Sequence, residues 1–583
     1  MFSIKKFFSE TKPAFREKVF CIWRLLSARE RLFVFSLCAV ITIASFSWFF
    51  LYYFKNTEIG PDFGGKYTEA ILGEPRYINS VLAQTNDADR DLSAIIFSGL
   101  TKYNKSGGID PDLAEKYEIS NDGKTYTFYL RKNIKWHDGE DLTADDIIFT
   151  IATIQNMEYR SPIRINWQGV IAEKIDNYTI KFSLNNVYTP FLENTTVGII
   201  PKHIWQDILP QNFLLAKFNL QPIGSGPYQF KKLQKDKLGK IISMEFSSFD
   251  NYYSGQPYIS ALNFSFYDSP EVMVQIYNNK LAQGINFLSA EDKNKIKDNA
   301  NIYSLKLPRY FAVFFNQNQS VVLADKNVRL ALNYATDKRK IVDEILGGNA
   351  ETVNSPILPD LLGFSSDIKI YDFLPEEAAR ILEESGWRDF DGDGFREKKI
   401  KNDKKEEEIL PLEIALATTN WPELFNVAEF LKKNWEQVGV KIVVDAKSIG
   451  EIQQEYIKPR KYQALLFGQI LSYLPDPFSF WHSSQKKDPG LNLSLYDNRN
   501  ADKLLEEARQ MVSEEGRAKK YEEFQNLLIS DIPAVFLYSP HYLYAVSNKI
   551  MGINIDKAVT PSQRFSDINK WYIETKRVKK ENL

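Results

Sequence analysis

An uncharged, almost wholly apolar run from Leu32 to Phe54, LFVFSLCAVITIASFSWFFLYYF, constrains this chain more than any other feature. Wound as a helix it would extend about 35 Å, enough to cross a hydrocarbon core of about 30 Å. Its distal end is aromatic (Trp48, Phe49, Phe50, Tyr52, Tyr53, Phe54), and such rings favour the membrane interface. Lys5, Lys6, Lys12, Arg16, Lys18, Arg24, Arg29 and Arg31 precede it against Glu10, Glu17 and Glu30, whereas Lys55 beyond it meets Glu58 and Asp62. The positive-inside rule therefore assigns residues 1–31 to the cytoplasm and the large remainder to the outside. The run exceeds a secretory h-region and no small-x-small site follows Trp48, so the expectation is an uncleaved single-pass anchor over 32–54. Cys38 follows Phe35-Ser36-Leu37 rather than a lipobox and reads as a membrane cysteine; with Cys21 on the inner side, the outer part can form no disulfide.

Most of the chain must then fold in water. At about 150 residues per domain, 583 residues require more than one folding unit. A 44% hydrophobic and 25% charged composition excludes both a disordered chain and a polytopic membrane protein. Lys plus Arg number 73 against 75 for Asp plus Glu, so there is no overall field to gather nucleic acid. Aromatic residues reach 14%, which suits large cores and pockets with flat walls.

After a Gly-containing linker, residues 55–65, strands and helices alternate. Tyr117 and Ile119, a turn at Asn121-Asp122-Gly123, then Tyr126, Phe128 and Leu130 at period two predict a hairpin, and Asp176-Asn177 leads into a second with Ile180, Phe182 and Leu184. Between them a Thr143/Asp146 capping box opens a helix with Ala144, Ile147, Ile148, Ile151 and Ile154 on one stripe. Pro375 starts a helix that stops at Gly386. Pro422 starts another that buries Leu424, Val427, Ala428, Leu431, Trp435 and Val438, with Gly439 as its C′ residue, and Lys441 to Asp445 follows as a strand. That order predicts a mixed or parallel α/β sheet, while the charged stretch Lys398 to Glu408 reads as a solvated loop.

No catalytic or cofactor motif stands out. His137, His203, His482 and His541 are isolated, without HExxH or cysteine ligands outside the membrane; GxSxG and GxxxxGK[ST] are missing, and Gly224-Ser-Gly226 reads as a tight turn. Asp389, Asp391 and Asp393 with Gly394 resemble the opening of a calcium loop, but Ile400 stands where the bidentate Glu belongs, so an Asp/Gly turn is preferred to a metal site.

One ordered series of motifs stands out: Leu100-Thr-Lys-Tyr103, Asp110-Pro-Asp-Leu-Ala114, Ser120 to Arg131, Lys135-Trp-His-Asp-Gly-Glu140, Thr143-Ala-Asp-Asp146, Gly224-Ser-Gly-Pro-Tyr228, Asn327 to Asp337, Glu377 to Trp387 and Leu474-Pro-Asp-Pro477. This series, over about residues 66–575, resembles the bacterial extracellular solute-binding proteins of family 5, the dipeptide- and oligopeptide-binding type that serves ABC importers. The resemblance implies a two-lobed periplasmic-binding-protein type II fold with an extra subdomain. Lobe 1 would comprise 66–96, the subdomain 97–221, then 222–315 and 534–575; lobe 2 would be 316–533, and 576–583 a charged tail. Arg131, His137, Asp138 and Gly139 read as corner chemistry rather than ligand contacts.

In the family's peptide binders the ligand lies extended between the lobes and pairs its backbone with strands. The matching positions here are Glu74 and, across the cleft, Gly468, Gln469, Leu471, Ser472 and Tyr473. Those binders hold the ligand's α-ammonium with an Asp three residues before the acidic-Pro pair, here Asp476-Pro477, and that position is Tyr473, which carries no charge at neutral pH. Either another acid such as Glu74 takes over, or backbone pairing and aromatic surfaces hold the ligand; sugars and metal chelates are also bound in this family. The expectation is a monomeric, non-enzymatic receptor that delivers peptides or a related solute to an ABC permease, with no cofactor and no nucleic acid partner. A surface sensor or chaperone-like binder, and less so an anchored hydrolase, are the alternatives.

Overall fold

The computed structural model describes residues 26–105, 107–297, 300–401, 407–555 and 557–580. These divide into two compact units, one reaching to Asp62 and resuming at Glu574, the other Phe63–Ile573.

In the first unit the apolar run lies within a helix, Ala28–Asn56, none of whose residues is buried. Ser27 opens it by donating its N–H and its hydroxyl to Glu30 Oε2, each at 2.8 Å. The helix is apolar on every face, and among the described residues Trp48 is 68% and Leu51 70% exposed. It is long and apolar enough to cross a membrane. Within the stretch 55–65, Thr57–Pro61 pairs antiparallel with Thr575–Lys579, so the charged tail begins as strand. Lys576-Arg-Val-Lys579 carries no strand alternation because an exposed two-stranded ribbon needs no apolar face.

The second unit is a mixed α/β structure in two lobes. Its organising element is the long strand Ala534–Ser547, which serves two sheets' worth of partners. Its first part pairs antiparallel with Arg309–Phe315 (Phe311 opposite Tyr538), and its second part with Ala300–Lys306 and with Gly284–Ile285. Outward from Arg309–Phe315 come Ala464–Ile470, Glu413–Thr419 and Lys441–Lys447; outward from Gly284–Ile285 come Lys66–Leu72, Ala261–Tyr267, Ile241–Ser248 and Tyr228–Lys235. The cores divide along this strand: Leu305, Leu307, Tyr542 and Tyr544 join the first-lobe core, and Tyr310, Val313, Phe536 and Tyr538 the second-lobe cores. Arg309–Phe315 reads as a near-continuous apolar run because both its faces are buried, Ala312 and Phe314 against one layer of helices and Val313 and Phe315 against the other.

Local expectations fare well. Ala114–Ile119, Thr125–Leu130, Thr179–Leu184 and Val170–Asp176 form one antiparallel sheet, in that order. Ala144–Gln155 starts at the predicted box, Thr143 N–H donating to Asp146 Oδ2 at 2.9 Å. Pro422–Glu436 joins the parallel strands Glu413–Thr419 and Lys441–Lys447 as a βαβ unit. Gly439, at φ 84°, is the expected C′ residue: Val440 N–H donates to Trp435 O at 3.1 Å and Gly439 N–H to Glu436 O at 3.0 Å, the Schellman pattern. The ends of the stretch Lys398 to Glu408, expected as a solvated loop, are strand, since Glu397–Lys401 and Glu407–Pro411 pair as an antiparallel ribbon, and 402–406 lie outside the described residues. With both faces largely in water, its strands carry charge where a core-facing strand would carry Val or Ile.

Candidate functional site

Two strands, one in each lobe, lose a ladder partner on one side part-way along, although Leu72 N–H is still taken by Asn286 Oδ1 at 2.9 Å. Glu413–Thr419 meets Ala464–Ile470 only at Ala464 and Leu465, and Gly284–Ile285 meets Lys66–Leu72 only at Glu69 and Ala70. The expected ligand segments lie on these half-free edges or directly beyond them. Gly468 allows close packing, since a Cβ there would stand 2.8 Å from the Phe311 ring. Gln469 is buried and accepts from the Tyr310 hydroxyl, and Leu471 N–H donates to Pro308 O at 2.6 Å. These fix the backbone of the edge, while Ile470 between them is 65% exposed. Glu74 follows the other edge; its carbonyl accepts from Asn86 Nδ2 at 2.8 Å.

Tyr473 packs its ring over Gly107, where any Cβ would collide with it, and lies 6.0 Å from the Lys557 ammonium. The carboxylate that meets this segment is Glu193, from the short helix Phe191–Asn194 of the first lobe's extra sheet-and-helix region. Glu193 Oε1 accepts Leu474 N–H at 2.7 Å, and Ser472 and Tyr473 N–H lie on the same side and favour the ionised carboxylate. Burial pushes Glu193 up to about 7, outweighing those hydrogen bonds. Beyond it, Arg509 grips Asp476 through Nε at 2.9 Å and through Nη2, with its guanidinium 3.7 Å from the Phe478 ring centroid. The 472–476 segment is thus held from both lobes.

Glu193 and Ser472 share a cavity of about 350 Å³ with Tyr103, Trp167, Asn194 and Gln563. Glu74 does not line it. A smaller crevice of about 100 Å³ lies at the lobe crossing, walled by Phe287, Phe311, Trp421, Arg309, Glu423 and Tyr542. Trp421 is 55% exposed, its ring 6.3 Å from that of Phe287. Tyr538 donates its hydroxyl to Glu423 Oε1 at 3.2 Å; burial raises Glu423 and lowers Arg309, whose Nε finds no partner. Sequence reasoning missed Glu193, Arg309, Trp421 and Glu423 because nothing local marks them.

The Asp389 turn gathers a different set from the calcium pattern. Asp389, Asp391 and Glu397 bring carboxylate oxygens within 4.8 Å of one another, without Asp393. Asp389 accepts from Gly392 N–H at 2.7 Å and Gly394 N–H at 3.0 Å, Asp391 from Asp393 N–H, Asp393 from Phe395 N–H and Glu397 from Phe390 N–H at 2.6 Å, which is Asx-turn chemistry.

Known proteins share this architecture. The family model described as "Bacterial extracellular solute-binding proteins, family 5 Middle" matches residues 108–492. An oligopeptide-binding protein, AppA of Bacillus subtilis, is 28% identical over 534 residues, spanning 89% of this chain and 93% of that protein. A dipeptide-binding protein of Escherichia coli is 27% identical, over 83% and 91%. Among solved structures, B. subtilis AppA in complex with a nonapeptide superposes with a TM-score of 0.71 at 26% identity, covering 88% of this chain and all 100% of the other. NikZ of Campylobacter jejuni in complex with Ni(L-His) superposes equally, TM-score 0.71 at 27% identity, covering 87% and 99%.

Proposed function

The chain belongs to the bacterial extracellular solute-binding proteins of family 5, and from that premise we propose that it is a membrane-anchored receptor. It captures an extended peptide between its lobes and passes it to an ABC permease. The observation that carries the peptide reading is the outer edge of Ala464–Ile470, paired only at Ala464 and Leu465 and followed by Leu471, Ser472 and Tyr473, with Gly468 and Gln469 on it and Glu74 just past the strand Lys66–Leu72 of the other lobe. An extended backbone can add to that edge, gaining main-chain hydrogen bonds without dictating side chains. The peptide-binding relatives and the nonapeptide in AppA support the same ligand class. The exposed apolar helix Ala28–Asn56 and the basic residues ahead of Leu32 support retention in the membrane, N-terminus inside.

Full-length protein in detergent is titrated with a mixed pool of di- to nonapeptides and, separately, with nickel–histidine, the ligand class of NikZ. Saturable binding of the peptide pool is the expected result, with lobe closure visible as a smaller radius in X-ray scattering. Binding of the chelate alone would replace the peptide reading. For the anchor, protease added to spheroplasts should leave a short protected N-terminal fragment; a mature chain that starts near Cys38 or after Trp48 would overturn it.

A further inference from the structure

From the lobe interface we infer that Glu193 is a ligand-contacting residue that supplies the counter-charge for a protonated amine of the bound solute, making this chain selective for ammonium-bearing ligands. The inference rests on the receptor reading and adds a recognition residue to it. Three observations carry it.

First, Glu193 lines the cavity shared by the first lobe and Ser472 of the second, so whatever fills that cavity lies against its carboxylate. Second, its hydrogen-bond donor is Leu474 N–H at 2.7 Å, and Ser472 and Tyr473 N–H beside it are neutral too. The cations on the same wall are already engaged: Lys102 lies 3.7 Å from Asp112, and Arg90 pairs with Asp87 and donates to Gln84 O at 2.8 Å. A carboxylate withdrawn from water without a cation is costly unless one arrives with the ligand. Third, the walls suit a cation: Tyr103 and Tyr252 present aromatic surface in the same cavity.

Burial, which holds Glu193 near 7, adds that the site is poised to be fully ionised once a positive charge approaches.

The test uses full-length wild type and Glu193→Gln, with a pool of free tetrapeptides and the same pool acetylated at its N-termini and lysines, each followed by calorimetry. The wild type should bind the free pool at least ten-fold more tightly than the acetylated one, and the variant should bind both alike. A variant that retains the preference, or a wild type that shows none, overturns the inference. A purely structural role for Glu193 would instead weaken both pools equally. Binding of neither pool by the wild type removes the peptide reading alone; the inference is then decided by a pool of di- and polyamines against their acetylated forms, and failure of those to bind overturns it too. Thermal melting checks that the variant folds; should it not, Glu193→Asp, which keeps the charge on a shorter arm, must retain the preference for free amines.

Discussion

Two regions of the second unit bury carboxylates, and they do so in opposite ways. Inside the first lobe, Glu69 and Asp91 surround Arg564, all three essentially inaccessible. Arg564 Nη2 lies 2.7 Å from Glu69 Oε1, Nη1 donates to Asp91 Oδ1 at 2.8 Å and to Pro561 O at 2.9 Å, and Tyr67 and Tyr544 donate their hydroxyls to Glu69 Oε2 at 2.6 and 3.1 Å. This closed network ties together the strand Lys66–Leu72, the helix Asp87–Ile96 and the turn Pro561–Phe565. At the lobe interface Glu193 has neutral donors only and a cavity beside it. The difference separates a charge placed to hold a fold from a charge left to be completed from outside.

Arg564→Met is the strongest way to break that comparison. It leaves Glu69 and Asp91 buried without their cation, and stranding a buried charge costs about 3–5 kcal/mol. Urea denaturation of the full chain should show a loss of that size, against a change within about 1 kcal/mol for Glu193→Gln at neutral pH, since removing an uncompensated charge leaves none stranded. Equal losses would mean that both carboxylates serve the fold.

pH sharpens the contrast at somewhat smaller amplitude. His137, placed at a corner by sequence reasoning, receives Gly224 N–H on Nδ1 at 3.1 Å and holds Nε2 3.0 Å from Gly226 O, so the neutral ring fits and a second ring N–H would face a donor. Burial lowers His137 to about 4. Its contribution is therefore complete above the ordinary value of 6.5 and is lost as pH falls toward 4, a change of at most about 3 kcal/mol. Glu193 has the opposite sign: raised to about 7, it favours the closed, folded state below 4.5, and that advantage disappears as pH rises through 7. Asp476 adds to its upward pressure from the facing lobe, while Arg509 is engaged with Asp476. In the wild type the two trends oppose each other between about pH 4.5 and 6.5; in Glu193→Gln, stability from urea titrations should rise more steeply over that window. An unaltered slope would show that Glu193 does not titrate where its burial implies.

Much of the fold was legible in the sequence because each signal was local. The Thr143 box, the Asn121-Asp122-Gly123 turn and the Pro422 helix start depend on residues a few positions apart. The exposed ribbons at 397–411 and at 57–61 with 575–579 were not legible, since strands that bury neither face lack the alternation that betrays a strand. The edge segments were reached through motif order, but the carboxylate beside Tyr473 was not: Glu193 lies 281 positions before Leu474, and a contact of that separation leaves no pattern in one dimension. Glu74, offered by proximity to a matched motif, follows its strand without lining the shared cavity.

The smallest expected effect tests a third carboxylate that falls between the two extremes. Glu423, at the start of the helix Pro422–Glu436, has a cationic neighbour in Arg309 and one hydroxyl donor in Tyr538, beneath the exposed ring of Trp421. Tyr538→Phe removes that hydroxyl and keeps the ring, which stacks on Phe311 with centroids 5.1 Å apart. Since Arg309 remains to face the carboxylate, the loss should be that of a single hydrogen bond to a charged group, about 1.5 kcal/mol, rather than the larger penalty of a stranded ion. Thermal melting of the full chain reads this directly. A loss near that of Arg564→Met would place Glu423 among the carboxylates that hold the fold; no loss at all would place it with Glu193, as a group whose partner is still to come from the ligand.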